Sequence, residues 1–304
     1  MRGRGIGSVS FLWAGAALLL SAVTTPAAAQ LPAWLMPDVR YFAGPIADPL
    51  EPRLGIGIVS TNILDRQGPE RPTFTRPVDS REVQAVASIG ATIPMFHIAS
   101  WPGGGIVIAA QASVHARFRI ERPSRDDFGQ DWLVAMPVEV RWDEVSARLR
   151  LTHRSSHLGD EFSAASGAQR IEFGGEALDA LFAADVGHGA RIYAGGGWIF
   201  HSNTDNTSVL MNEGRPDRYF LQAGADVVLR PWRDERFDLV AGIDLQSAER
   251  TEWQSTLGIA GGVRLHSGPR GVRLTARYVE GTSPLGQFFL TQEEFFSFEF
   301  VIDF

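Results

Sequence analysis

The sequence predicts an all-β protein, an antiparallel transmembrane β-barrel of about twelve strands. Three observations lead to this fold class: an export signal at the start, long segments in which apolar and polar residues alternate, and a final segment of alternating aromatic residues. The chain has 304 residues, 32 glycines and no cysteine. Without cysteine it forms neither disulfides nor thiolate metal sites.

Residues 1–29 have the pattern of a secretory signal peptide. Arg2 and Arg4 give a basic start, an apolar stretch covers 11–23, and the small residues 27–29 suit a signal peptidase. We therefore expect an exported protein. The rest of the sequence has no run of 18 apolar residues, so no membrane-spanning helix is expected.

The charge balance argues against one class of partner. With 28 basic and 35 acidic residues the formal net charge is −7, and it becomes −9 without the two arginines of the signal. An acidic exported protein has no net attraction to phosphate backbones, so no nucleic-acid partner is expected.

From Arg53 to Phe304 the dominant pattern has a period of two residues. In the stretch 105–121 the residues of one parity are apolar: Ile106, Ile108, Ala110, Ala112, Val114, Ala116, Phe118 and Ile120. The other parity carries Gln111, Ser113, His115, Arg117, Arg119 and Glu121. Successive side chains of a strand point to opposite sides. We therefore expect an apolar outer face and a charged inner face.

About twelve segments of this kind can be counted. They lie near 53–60, 82–94, 105–121, 130–142, 145–157, 169–184, 190–202, 217–230, 236–246, 254–266, 271–281 and 291–304. Their lengths match the roughly 9–11 residues of a tilted membrane-crossing strand and exceed the roughly 5–6 of soluble sheets. An even number suits a closed barrel with both termini in the periplasm. The connection around "MFHIASWPGGG" is unexpectedly long for a periplasmic turn.

The last ten residues, "FFSFEFVIDF", place Phe296, Phe298, Phe300, Ile302 and Phe304 on one face. This segment resembles the carboxy-terminal strand by which outer-membrane barrels are recognised for assembly. The resemblance implies the barrel-assembly machinery as a partner and the outer membrane of a Gram-negative bacterium as the location. With the signal peptide it divides the chain into residues 1–29, 30–52 and a barrel at 53–304.

Residues 30–52 are rich in proline, with Pro32, Pro37, Pro45, Pro49 and Pro52. This density excludes a long helix or a central strand. We expect either a periplasmic arm or a plug that enters the lumen.

The inward positions carry both signs of charge: Arg117, Arg119, Glu139, Arg141, Arg148, Arg150, Asp226, Asp244, Arg273, Arg277, Glu299 and Asp303. Charges withdrawn from bulk water persist where they are paired or hydrated. Two interpretations follow, an ion-paired filling that stiffens the barrel and a narrow passage for solutes. The sequence leaves both open, together with the oligomeric state.

The segment "VSARLRLTHRSSH" contains several residues of the types that act in catalysis or bind metal ions. If alternation continues through it, His153, Ser155 and His157 share the outward parity of Leu149 and Leu151. Four strand residues span about 13 Å, which separates the two histidines too far for one metal ion. His153 and Ser155 are about 6.6 Å apart along the strand on one face, so a base and its nucleophile could meet there.

This His-x-Ser arrangement resembles two families of outer-membrane lipid hydrolases, phospholipase A and the lipid A deacylase. The resemblance implies that His153 is the general base and Ser155 the nucleophile, and that phospholipid or lipopolysaccharide is the substrate. The orienting residue is then expected early in the next strand, in "GAQRIEF", at Gln169 or Glu172. Phospholipase A also implies calcium, for which the loop carboxylates Asp160 and Glu161 are the candidates.

Two other interpretations of the same segment remain open. Polar residues are expected where a strand leaves the hydrocarbon, so "THRSSH" is also typical of an interfacial cap that hydrogen-bonds lipid headgroups. The other interpretation is a cation site in the loop, formed by Asp160 and Glu161. Trp132, Trp142, Trp198, Tyr219 and Tyr278 fit interfacial girdles better than a ligand platform.

A wider resemblance covers almost the whole mature chain. The segments "PIADPLEPR", "HRSSHLGDE", "RIYAGGGWIFH" and "SPLGQFF" are similar to an uncharacterised family of exported Gram-negative proteins known only as a domain of unknown function. This resemblance implies no activity.

Overall fold

The computed structural model describes residues 32–64, 81–122, 125–166, 168, 170–203, 218–231, 236–268 and 270–303. Twelve strands form one closed sheet. Their bounds are β1 Leu54–Leu64, β2 Glu82–Trp101, β3 Gly104–Phe118, β4 Asp127–Trp142, β5 Val145–Leu158, β6 Phe173–Gly187, β7 Ala190–Ser202, β8 Tyr219–Leu229, β9 Phe237–Ala248, β10 Ser255–Ser267, β11 Arg270–Thr282 and β12 Gln292–Asp303. The only α-helix within the described residues is α1, Asp160–Ser166.

Each strand pairs antiparallel with the next strand in sequence, and β1 pairs with β12 to close the barrel, with Leu54 opposite Ile302. Closure leaves no sheet edge, so every strand can satisfy its backbone hydrogen bonds within the sheet. The predicted fold class, an antiparallel transmembrane barrel of about twelve strands, is confirmed. Within the described ranges, no helix has the length and apolar character to cross a membrane.

The two ends of the barrel differ. The end where β1 begins and β12 ends carries the short connections 102–103, 143–144 and 188–189 and is called the turn end here. The opposite end carries longer connections, including 119–126, 159–172, 249–254 and 283–291, and is called the long-loop end.

The alternation predicted from the sequence determines which side chains face out. On β4 the side chains of Trp132, Val134 and Met136 face outward and are about half exposed, whereas Glu139 is fully buried inside. On β12 the Phe298 side chain is 63% exposed on the outer face and Glu299 is buried inside. The predicted apolar exterior and charged interior are therefore found. Phe304 lies outside the described residues.

The second strand is longer than the sequence predicts. It continues through "MFHIASW" to Trp101, and its connection to β3 is only Pro102 and Gly103. Irregular pairing between Pro94 and Phe96 and between His97 and Ala99 interrupts the alternation, and this hides the strand from a period-two analysis. Gly103 has a φ of 84°, a left-handed conformation that suits glycine in a tight turn.

Ion pairs line the interior. They join arginine to carboxylate between neighbouring strands or across the lumen: Arg117–Glu293, Arg119–Glu82, Arg150–Asp179, Arg154–Asp131, Arg191–Asp226, Arg273–Asp303 and Arg277–Glu299. The inward charges are therefore largely paired, as charges at low water content must be.

Two irregular segments enter this charged interior. Residues 40–53, called the plug segment here, contact inward side chains of β3, β4, β5, β7, β8 and β12. Residues 283–291, called the cap loop, fold back at the long-loop end onto β4 and β5. The plug segment and the cap loop therefore both occupy part of the lumen.

Candidate functional site

His153 and Ser155 lie on the outward face of β5, near the long-loop end. Residues of the other parity on this strand, such as Arg148 and Ser156, are buried in the lumen. The His153 side chain is 50% exposed. Alternation alone positions this pair, since two successive same-face residues of a strand lie about 6.6 Å apart.

Glu176 on β6 lies directly opposite His153 in the antiparallel register. Its Oε1 atom is 2.8 Å from the His153 Nδ1 atom. A carboxylate accepts from a ring N–H, so this contact places a proton on Nδ1 and leaves Nε2 as an acceptor. The pair has the geometry of a histidine oriented by a carboxylate.

The same carboxylate contacts a second histidine. On the other side of β6, Glu176 lies opposite His201 of β7, and its Oε2 atom is 2.5 Å from the His201 Nδ1 atom. The next pair in the register is Ala177 with Ile199, so Phe200 is an extra residue on β7. Such a bulge resets the alternation and brings His201 to the outward face beside Glu176.

Gly174 lies between Ser155 and Asn203. The cross-strand neighbours of Ser155 are Trp132 on β4 and Gly174 on β6. A Cβ atom added to Gly174 would be 3.9 Å from the Ser155 Cβ atom and 3.7 Å from the Asn203 Nδ2 atom. Both are ordinary van der Waals distances, so Gly174 leaves room for one small group between the Ser155 and Asn203 side chains.

Ser156 has a structural role in the lumen. Its hydroxyl donates to Asp131 Oδ1 at 2.5 Å and accepts from the Gln287 backbone N–H at 3.0 Å. Of the two adjacent serines, Ser155 is therefore the one on the face of His153.

The carboxylate beside His153 is Glu176 and not Glu172. Glu172 precedes β6, and Gln169 lies outside the described residues. Phe173, which shares the parity of Gln169, is buried and packs against Phe289 of the cap loop, so this parity does not face outward at the start of β6. The outward parity of β6 is even-numbered, which includes Glu176. The long connection 159–172 leaves the register of β5 and β6 undetermined in the sequence, so no sequence pattern identified this residue.

The predicted cation ligands Asp160 and Glu161 form the first turn of α1 at the long-loop end. The Asp160 carboxylate is paired with the guanidinium group of Arg170. Across the described part of the chain, no group of three or more histidine, aspartate or glutamate side chains is arranged to hold a metal ion. These donors do not fit calcium, which takes six to eight oxygen ligands.

The chain belongs to the family described as "Protein of unknown function (DUF1207)", whose model matches residues 13–304. The suspected membership of an uncharacterised family is confirmed. No match was found among curated protein sequences.

Solved outer-membrane barrels are similar in structure. The outer-membrane phospholipase of Salmonella typhi, a dimer with bound calcium, is 13% identical with a TM-score of 0.53, covering 84% of this chain and 94% of that chain. Outer-membrane phospholipase A of Escherichia coli is 12% identical with a TM-score of 0.53, covering 84% and 99%. An outer-membrane channel of Pseudomonas putida is 12% identical with a TM-score of 0.47, covering 86% and 100%. Likenesses at this identity show the shared fold alone.

Proposed function

We propose that this protein is a serine hydrolase of the Gram-negative outer membrane that cleaves acyl esters of membrane lipids. Ser155 is the nucleophile, His153 the general base and Glu176 the residue that orients the imidazole. The observation that supports this most directly is the 2.8 Å contact between His153 Nδ1 and Glu176 Oε1, on the same face as Ser155. A nucleophile, a base and an orienting group are the three parts that such catalysis needs.

The reaction has two balanced steps. The Ser155 hydroxyl oxygen attacks the ester carbonyl carbon while its proton passes to His153 Nε2. The bond from that carbon to the alcohol oxygen then breaks, and the alcohol leaves with the proton from Nε2. In the second step water attacks the acyl-serine ester, His153 takes and returns the proton, and the fatty acid is released. Glu176 stabilises the imidazolium ion in both steps.

We place the ester carbonyl beside Gly174, which has no side chain to block it. An ester carbonyl in this position has the Ser155 hydroxyl on one side and the Asn203 side-chain amide on the other. The Asn203 N–H groups are therefore the proposed donors to the developing oxyanion, a contribution typically worth about 10²–10³-fold in rate.

The outward position of the site favours lipid substrates. Trp132, beside Ser155, is 45% exposed on the outer face, and aromatic side chains of this kind settle where hydrocarbon meets headgroups. A lipid in the membrane can reach Ser155 from the side without entering the lumen. With the long-loop end extracellular, as in bacterial barrels generally, the substrates are phospholipid or lipopolysaccharide of the outer leaflet.

The experiment measures fatty-acid release from phospholipid and lipopolysaccharide in detergent micelles by the refolded protein. One arm contains calcium and one a chelator, because the resemblance to phospholipase A implies calcium while Asp160 and Glu161 do not form a site that fits it. Ser155→Ala should abolish release. His157→Ala, on the same outward face, is the matched control and should leave the rate unchanged. No release from the unaltered protein in either arm, or equal release from Ser155→Ala, refutes the proposal.

A further inference from the structure

The plug segment is held inside the barrel by polar contacts on six strands. The segment donates hydrogen bonds from Phe42 N–H to Glu139, from Ile46 N–H to Asp226 and from the Arg53 side chain to Glu299. It accepts hydrogen bonds at Ala43 O from Arg191, at the Asp48 carboxylate from Gln222 and at the Glu51 carboxylate from Arg148. The Leu50 carbonyl contacts His115 Nε2. The barrel partners include three carboxylates and two arginines. They fix one path for the chain through the lumen.

Apolar packing also contributes to this attachment. Phe42 is the large apolar anchor of the plug segment, packed with Leu181, Ala183 and Tyr193. Ion pairs and hydrogen bonds exchange for contacts with water at little net cost, whereas an apolar surface does not. A wall that is polar under the plug segment can therefore be rehydrated when the segment leaves.

Cavities lie on both sides of the segment. One of about 230 Å³ lies toward the long-loop end and is lined by Arg150, Arg154 and Gln246, among others. One of about 460 Å³ lies toward the turn end and is lined by Arg264 and Asp303, among others. Since a water molecule occupies about 30 Å³ in the liquid, each has room for several.

Asp48 lines both cavities. The part of the plug segment around this residue therefore separates them. At the long-loop end the cap loop covers the side of β4 and β5, while the first cavity extends to Gln254 and Thr256 on the opposite side of the lumen.

We propose that the lumen is a passage for small hydrophilic solutes and that the plug segment is its movable closure. Displacement of residues 46–51 joins the two cavities into one water-filled path. Arginines and carboxylates line both cavities together with apolar side chains such as Leu133 and Phe220, so small ions of either sign are expected to pass. Trp132 and Gly174 border both the first cavity and the outward site, but His153, Ser155 and Glu176 line neither cavity.

A reversible disulfide cross-link tests the proposal. Because the native chain has no cysteine, the two introduced thiols have no other cysteine in the chain to pair with. A Cβ atom added to Gly242 of β9 would be 3.1 Å from the Ile46 Cβ atom and 2.6 Å from Asp226 Oδ1. The Asp226 side chain must therefore shift, and the two Cβ atoms must separate slightly, to reach the roughly 3.5–4.5 Å spacing of a disulfide. The double variant Ile46→Cys/Gly242→Cys is placed in planar bilayers in KCl. Reduced protein should conduct, oxidised protein should not, and a reductant should restore the current. Loss of free thiols shows that the bond has formed, and each single cysteine variant is the control.

A second variant weakens the closure instead of locking it. Glu51→Gln removes the charge that pairs with Arg148 and should raise the fraction of time spent conducting severalfold. Heat-dependent migration in electrophoresis checks that the barrel has folded. Current that persists with the disulfide closed, or folded Glu51→Gln protein that never conducts, overturns the proposal.

Discussion

The Glu176 carboxylate accepts from two imidazoles, and this decides which nitrogen each histidine keeps for other contacts. Both His153 and His201 present Nδ1 to it. Each ring therefore has Nε2 free to accept a proton. Since His201 lies farther from Ser155 along the face, we expect it to hold Glu176 in place and not to act on the substrate.

We predict that Glu176→Ala lowers the rate of lipid hydrolysis by about 10²–10⁴-fold, because His153 loses the group that fixes its tautomer. Exposed ion pairs contribute at most about 1 kcal/mol, so the stability should change little. Rates and thermal unfolding in detergent measure the two effects.

His201→Ala is the companion variant. It leaves the contact between His153 and Glu176 intact, and a loss of less than about tenfold is expected, smaller than the general-base contribution. A rate equal in Glu176→Ala and the unaltered protein would contradict the role given to the carboxylate.

Among the elements, the cap loop shows how a long connection becomes part of the interior. The Gln287 amide donates to the backbone carbonyls of Ser156 and Ile171 at 2.7 and 2.8 Å. Phe288 stacks on Phe128 with ring centroids 4.4 Å apart, and Phe162 of α1 meets both rings edge-on. Buried amide and aromatic contacts together anchor the loop.

We predict that Phe288→Ala releases the cap loop, because truncating a buried phenylalanine typically costs about 3–5 kcal/mol. Limited proteolysis should then cut within 283–291, where the unaltered protein resists. Phe298→Ala is the matched control, since that ring faces outward and is 63% exposed. Equal resistance of the Phe288 and Phe298 variants would show that the aromatic stack does not hold the loop.

For the whole molecule, the charged interior ties the plug segment to the barrel wall. Burial alone would raise the pKa of the Glu51 carboxyl, but the guanidinium groups of Arg148 and Arg150 outweigh it and hold this pKa below its ordinary value. A carboxyl with a lowered pKa stabilises the folded state at any pH above its ordinary pKa of about 4.3. That contribution is lost as the pH falls through the lower, folded-state value.

We therefore predict that acid loosens the plug segment. Hydrogen exchange of residues 40–53 should remain slow at neutral pH and accelerate as the pH falls below about 4.3, after correction for the intrinsic rate. In Glu51→Gln the exchange should already be faster at neutral pH and depend less on acid. An unchanged acid response in that variant would assign the effect to other carboxylates.

Much of the architecture could be predicted because it follows from a local rule. Alternation on β4 and β12 identifies outward and inward faces, since each strand of a barrel borders hydrocarbon on one side and a polar lumen on the other. The outward placement of His153 and Ser155 follows from the same rule. The rule failed where the local period changes, at the irregular pairs of β2, at the bulge of Phe200 and at the start of β6.

The sequence by itself determined a closed barrel with an apolar exterior, a charged interior and an outward His-x-Ser pair, because these depend on side-chain period and strand length alone. Only the tertiary structure decided that Glu176 meets both His153 and His201, that the cap loop packs on Phe128, and that residues 40–53 run through the lumen. These contacts join residues 23 to 246 positions apart in the chain. Register and chain closure bring them together, and no local pattern encodes register across a bulge or the path of an irregular segment.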